Sequence, residues 1–287
     1  WVSIVAVTPD GKRAVSASWD RTVRVWDLQN GSELFVLSGH TGWVESVAVT
    51  PDGTRAISAS RDHTLRVWDI YRGKSLATIS SDRSGMMALA LTPDGQRVVS
   101  GSNTGFLEIW DLESGERILE IEAHMVPINS LAVTPDGRYI VSASLDQTIR
   151  IWRFQETNRV ETVPRHFEWV TEIVVTPDAQ RAITASDDYT LRIWDLETGS
   201  ELHTLTGHSD WVRSVVVTSD GTRAVSASHD GTLKMWDLGN GNELLTLVGH
   251  SGPVYEVALI PRSSHAISAS DDGTLRIWDL ASGEDLL

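Results

Sequence analysis

The 287-residue chain contains no cysteine. That absence excludes a disulfide framework, a zinc–thiolate site and a cysteine nucleophile, and it fits a reducing cytoplasm, the expected location. Basic residues are scarce: 24 Lys and Arg stand against 39 Asp and Glu, a formal net charge of −15. An acidic surface repels phosphate, so nucleic acid and anionic membrane are disfavoured as partners. On one reading the charge serves solubility; on a second it favours a basic partner. No apolar run approaches the roughly 20 residues of a membrane-spanning helix. No signal peptide opens the chain, although it starts at Trp1 rather than Met, so an upstream segment is expected. There is no P-loop and no Gly-rich dinucleotide fingerprint. The acidic pairs Asp187-Asp188 and Asp271-Asp272 lack the ligand-rich loop that calcium needs. No metal and no other cofactor is expected.

What the chain has in excess is tryptophan, 12 residues, and seven of these are spaced evenly. Trp26, Trp68, Trp110, Trp152, Trp194, Trp236 and Trp278 each lie 42 positions after the last. Six are followed by Asp and the fourth by Arg153. A fixed period near 40 residues signals a repeat architecture. The units are 1–42, 43–84, 85–126, 127–168, 169–210, 211–252 and 253–287, in one domain over 1–287. Within a unit, β-branched runs such as Val44–Thr50 alternate with turns such as Pro51-Asp52-Gly53 and Asp62-His63-Thr64. Four short strands joined by tight turns make an antiparallel meander. A lone meander leaves apolar faces open, and stacked neighbours in a ring cover them.

The Trp-Asp dipeptides, with Gly39-His40, Gly207-His208 and Gly249-His250, resemble those of the WD-repeat β-propeller family. The likeness covers the whole chain. It implies an all-β, closed seven-bladed propeller, each blade a four-stranded antiparallel meander. Near-identical stretches such as AVTPDGTRAISAS resemble bacterial WD-repeat arrays of larger signalling proteins, including NTPase- and kinase-linked sensors. Seven units of 42 would need 294 residues, and the seven missing ones match Thr246–Gly252. The last outer strand is therefore only begun; the final blade is expected to use Gly283–Leu287 in place, the alternative being that residues before Trp1 supply its outer strand.

Each unit also carries His, Ser or Thr, Asp and Trp at fixed offsets. The complete sets are His40, Ser58, Asp62, Trp68; His124, Ser142, Asp146, Trp152; His166, Thr184, Asp188, Trp194; His208, Ser226, Asp230, Trp236; and His250, Ser268, Asp272, Trp278. Ser, His and Asp suggest a hydrolase triad. Five-fold recurrence, a fixed aromatic and the lack of a G-x-S-x-G elbow oppose it. The resemblance implies a buried hydrogen-bond network instead, and no catalytic residue. The third unit departs, with Asp82 and Thr104 in the His and Asp slots, so its network is lost or rebuilt and its blade is expected to be the least stable. The fourth replaces a Gly turn by Glu156-Thr157-Asn158, and Pro261-Arg262-Ser263 departs in the seventh.

Three registers vary between units while the framework does not. They hold Trp1, Trp43, Trp169 and Trp211; then Met87, Arg213 and Tyr255; then Trp19, Arg61, Leu145 and His229. In the family resembled, these positions look onto the top face around the channel mouth. Aromatics with Arg are the composition of interface hot spots; the competing reading is that the Trp residues only cap strands and pack on neighbours. The expected function is a non-catalytic platform for a protein or peptide, the sensor or scaffold of a longer parent chain and monomeric by itself. The alternatives are a structural or autoinhibitory spacer and, less favoured, a propeller hydrolase.

Overall fold

A computed structural model describes residues 2–82, 84–154, 160–162, 166–260 and 263–286. Trp1, Glu156, Thr157, Asn158, Pro261, Arg262 and Leu287 lie outside the described residues. The fold is all-β, with seven blades of three or four antiparallel strands and no helix among the described residues. The chain divides into two compact units, 1–133 and 134–287.

The first unit contains β1 (Val2–Val7), β2 (Arg13–Ser18), β3 (Val23–Asp27) and β4 (Glu33–Leu37), then β5 (Val44–Val49), β6 (Arg55–Ser60), β7 (Thr64–Asp69) and β8 (Lys74–Ser80). It continues with β9 (Met86–Leu91), β10 (Arg97–Ser102), β11 (Phe106–Asp111), β12 (Arg117–Glu122) and β13 (Ile128–Val133). Strands β1 to β12 form three four-stranded meanders. The second unit contains β14 (Tyr139–Ser144), β15 (Ile149–Arg153) and β16 (Val160–Thr162), then β17 (Val170–Val175), β18 (Arg181–Ser186), β19 (Leu191–Asp195) and β20 (Glu201–Leu205). There follow β21 (Val212–Val217), β22 (Arg223–Ser228), β23 (Thr232–Asp237) and β24 (Glu243–Val248), and last β25 (Val254–Leu259), β26 (His265–Ser270) and β27 (Leu275–Asp279).

The expectation of four strands in every blade needs correcting at the seventh, which has three among the described residues. The positions matching β24 are 285–290, and the sequence contains only 285–287 of them. An isolated bridge pairs Trp278 with Asp285, and the Leu286 amide donates to the Ile277 carbonyl at 2.7 Å. The outer strand is thus begun in place, as expected.

Both faces of a blade are apolar, and the cores lie between neighbours. In the first unit, Ile57, Ala59, Leu65, Val67 and Ile79 of one blade meet Met86, Leu89, Val98, Trp110 and Leu112 of the next. In the second, Ile183, Ala185, Leu191, Ile193 and Leu205 meet Val212, Val215, Ala224, Trp236 and Leu238 in the same registers. Within its own unit each terminal blade shows one open half. Val5 is 53% exposed where its counterpart Val47 is 4% exposed, and Leu275 is 57% exposed where Leu233 is fully buried.

The turn after each innermost strand is a side-chain staple. Thr50 Oγ1 donates to Asp52 Oδ1 at 2.5 Å, and that oxygen also accepts the Thr54 amide at 3.0 Å. The turn places Gly53 at φ 69°, in the left-handed region that glycine enters without penalty. In the fifth blade Ala179 is forced to φ 58° at this register. A left-handed non-glycine residue costs about 1–2 kcal/mol, partly offset by the chain entropy that glycine adds. Ala179→Gly should therefore stabilise the protein by about 1 kcal/mol, seen as a rise of a few degrees in Tm. A fall in Tm would contradict this reading.

Candidate functional site

The repeated His, Ser or Thr, Asp and Trp residues meet as chains of hydrogen bonds. In the second blade Trp68 Nε1 donates to Ser58 Oγ at 2.8 Å, and Ser58 Oγ lies 2.7 Å from His40 Nε2. His40 Nδ1 is 2.9 Å from Asp62 Oδ2, which also accepts the Thr41 amide at 2.8 Å. Indole can only donate, so Ser58 passes its own hydrogen to Nε2 and the neutral imidazole gives its Nδ1 hydrogen to Asp62. The same lengths recur around His166, His208 and His250. In the fourth blade Trp152 donates to Ser142 at 3.1 Å, Asp146 accepts from Thr148, and His124 is buried. The proton order is that of a hydrolase triad, but the hydroxyl is not free to react. Ser58, Thr184 and Ser226 are fully buried, and each already receives a Trp N–H.

Burial favours the neutral form of His40 and holds its pKa below the ordinary imidazole value, against the pull of Asp62. For Asp62 burial works in the opposite sense, yet hydrogen bonds from Thr64, Thr41 and His40 bring it down to about 2. Asp188 and Asp230 are likewise held low against burial, chiefly by His166 and His208, and Asp272 is held low chiefly by Thr274.

The third blade has rebuilt its network. Trp110 still donates to Ser100 at 3.0 Å, and Ser84 and Thr104 are joined at 2.8 Å. Beside them a charge pair is reversed. Arg24–Glu33, Arg192–Glu201 and Lys234–Glu243 set a cation on the third strand against an anion on the fourth. Here Glu108 takes the cation's place and Arg117 the anion's, 2.8 Å apart. Ser81, where the second and sixth blades have Gly39 and Gly207, donates to Glu108 at 3.0 Å. A Cβ at Gly39 would lie 2.6 Å from Arg66 Nη1, so a side chain there pushes the Arg aside; the fourth blade holds Ala123 and Arg150 at the same registers. Asp82, Glu108 and Glu120 bring carboxylate oxygens within 4.8 Å of one another, but Arg117 Nη1 sits among them at 2.7, 2.8 and 2.7 Å, where a cation would stand.

The variable registers are carried by backbone irregularities. The innermost strands of the first, second, third, fifth, sixth and seventh blades each slip register at one residue, namely Ser3, Glu45, Met87, Thr171, Arg213 and Tyr255. A β-bulge leaves its residue out of the ladder and turns the side chain aside. One further backbone bond ties the other two registers together: Arg61 N to Trp43 O, Asp187 N to Trp169 O and His229 N to Trp211 O, all 2.9 Å.

In the first unit these residues form a stack. Trp19 and Trp43 lie 4.8 Å apart at 14°, Arg61 covers Trp43 at 4.7 Å, and Glu45 accepts from both Trp19 and Arg61. In the second, Arg213 lies 4.7 Å over Trp211 and donates to His229 at 3.1 Å, and His229 meets Tyr255 edge-on at 4.9 Å. Burial, then the nearby Arg213, lowers the His229 pKa, which keeps the ring an acceptor. Met87 and Leu145 are half-buried and join neither set. Sequence reasoning missed Phe167 and Tyr189, which share a cleft with Trp169 and Trp211. It also missed Glu172, one register beyond the bulge. Desolvation, then the charge of Glu256, raises the pKa of the half-buried Glu172, and it accepts the Val215 amide at 2.6 Å.

The family model of the WD domain, G-beta repeat (WD40), matches residues 1–27, 31–69, 73–111, 115–153, 157–195, 199–237 and 241–279. The chain belongs to the WD40 family. Each WD40 segment from the second on closes just after an anchor Trp, so its sequence phase starts in one blade's outer strand: residues 31–69 contain β4 and then β5 to β7. A stretch of 36 residues is 56% identical to angio-associated migratory cell protein of Homo sapiens, and equally to that of Pongo abelii. It covers 12% of this chain and only 8% of each of those proteins.

Two outcomes test these networks. Asp62 favours the fold above about 3.8 and ceases to as pH falls toward 2; His40, neutral in the fold, costs stability once the unfolded chain takes a proton below about 6.5. Both signs agree, so Tm should drop in acid, with a shallower slope in Asp62→Asn; an unchanged slope would count against the network. Arg117→Ala strands the buried Glu108 and should cost about 3 kcal/mol, with hydrogen-exchange protection falling first in the third blade. The triple variant Ser81→Gly, Glu108→Arg, Arg117→Glu restores its siblings' pairing and should recover most of that loss. No recovery would refute the coupling of the three sites.

Proposed function

We propose that this WD40 chain is a non-catalytic platform that binds a protein or peptide through the side chains at the bulged ends of its innermost strands. The observation that carries the reading is a set of large rings left in water by a framework that buries six of its seven anchor Trp residues. Trp43, Trp169, Trp211, Tyr189, Phe167 and Tyr255 are exposed, whereas Trp68, Trp194, Trp236 and Trp278 are buried. Exposed aromatics grouped with Arg are the composition of binding hot spots. The bulges support it too, since they hold variable residues on rigid strands. The net charge of −15 favours a partner with basic segments. The absence of cysteine supports a cytoplasmic location, and the near-identical repeats support a sensor or scaffold role in a larger signalling protein.

A second reading, a spacer without its own ligand, draws on the first unit, where Trp19, Trp43, Arg61 and Glu45 already satisfy one another. Selection of a random displayed peptide library on the protein separates the two. Enriched peptides should be rich in Lys and Arg, and Trp43→Ala or Trp211→Ala should weaken them at least tenfold, about 1.4 kcal/mol, with Tm nearly unchanged. Failure to enrich any peptide, or unaltered affinity in both variants, would leave the spacer reading.

A further inference from the structure

We propose that the cleft between the fifth and sixth blades takes the alkylammonium group of a lysine-type side chain, methylated or not, on a bound peptide. This rests on the platform reading and gives it a ligand chemistry. The cleft has a volume of about 610 Å³ and lies wholly within the second unit. Its walls are the rings of Phe167, Trp169, Tyr189 and Trp211. The face of an aromatic ring is electron-rich and attracts a cation lying within about 6 Å.

The rings already show this preference. Arg192 lies 5.6 Å over Phe167 and Arg213 lies 4.7 Å over Trp211. Trp169 is the exception. It is 51% exposed, and its ring stacks on no other ring and on no guanidinium among the described residues. Tyr189 is held at φ 70° to stand here, at a register where the third, sixth and seventh blades have Gly105, Gly231 and Gly273. Placing a ring in the left-handed region costs energy that a plain turn would avoid.

The floor is acidic. Asp187 is 6% exposed, and its Oδ1 accepts no hydrogen bond among the described residues, facing only the Arg213 guanidinium at 3.2 Å. Burial raises its pKa, as do Glu168, Asp188 and Asp210, while Arg213 alone opposes them. Asp188 is held by His166, so Glu168 at the exposed rim is the carboxylate left to meet a cation. An aromatic box with a surplus of carboxylate excludes anions, and it rewards an ammonium over a neutral group of the same shape.

The probe is tetramethylammonium chloride, titrated into the ¹⁵N-labelled chain at constant ionic strength, with the neutral isostere neopentyl alcohol alongside. The indole N–H resonances of Trp169 and Trp211, assigned through Trp169→Phe and Trp211→Phe, should shift saturably in the millimolar range with the cation and not with the alcohol. Glu168→Gln, a rim change that leaves the core untouched, should weaken the cation at least threefold. Equal shifts with the alcohol, or a Trp169 resonance that does not move, would overturn the proposal. The two readings fail separately. Selected peptides that bind without perturbing Trp169 would keep the platform and discard the ammonium site. A cation response with no selectable peptide would do the reverse.

Discussion

A four-stranded meander that is apolar on both faces cannot stand alone in water, and everything else in this chain follows from covering those faces. In four inter-blade cores, two in each unit, five side chains of one blade meet five of the next, and the fives occupy the same registers. Burying one such aliphatic side chain is worth roughly 1.5–3 kcal/mol, so an interface of ten outweighs any single hydrogen bond in the blade. Because the same face must fit every neighbour, the period cannot drift. The spacing of 42 between anchor Trp residues is the trace of that constraint in the sequence. It also accounts for the indole itself: Trp68, Trp110 and Trp236 are members of the inter-blade cores and hydrogen-bond donors to the second strand at once.

The hydrogen-bond chain from Trp to Asp solves a second problem. Packing fixes the sheets but leaves the turns at their ends free. Asp62 gathers the Thr41 and Thr64 amides together with His40 and pins two turns to one core indole through Ser58. With the turns pinned, the adjoining bulge residue and the exposed Trp register can vary at little cost to the fold. Rigidity beneath and freedom above are what a binding surface requires, since side chains held in place lose less entropy when a partner arrives.

Much of this was legible from residue order alone. Trp spacing, Pro-Asp-Gly turns and alternating β-branched runs specified the meander, and the fixed offsets of His40, Ser58, Asp62 and Trp68 specified one network with sibling sets in four other blades. Each is a short-range or strictly periodic signal. The missed features are of another kind. Phe167 and Tyr189 lie in turns outside the three variable registers, and only folding brings them to Trp169. The raised pKa of Glu172 arises from desolvation and the proximity of Glu256, 84 positions on. The bulges too were invisible, because a register slip depends on hydrogen-bond pairing rather than on residue type.

The third blade shows how far the framework can be altered and by what rule. Its Ser, Glu and Arg at 81, 108 and 117 replace Gly, Arg and, in the sixth blade, Glu. The fourth blade makes two of these changes without the third: it has Ala123 for Gly and Arg159 for Glu while keeping Arg150. A Cβ at the first register is thus compatible with an Arg on the third strand, whose long side chain can move aside. The change at 108 is different in kind, since a carboxylate buried there needs the cation that Arg117 supplies. Burial decides which framework positions are bound to a partner position and which can change alone. The bulge positions Glu45, Met87, Thr171, Arg213 and Tyr255 share no residue type and stand beside the exposed rings, which is why the proposed platform places its partner there.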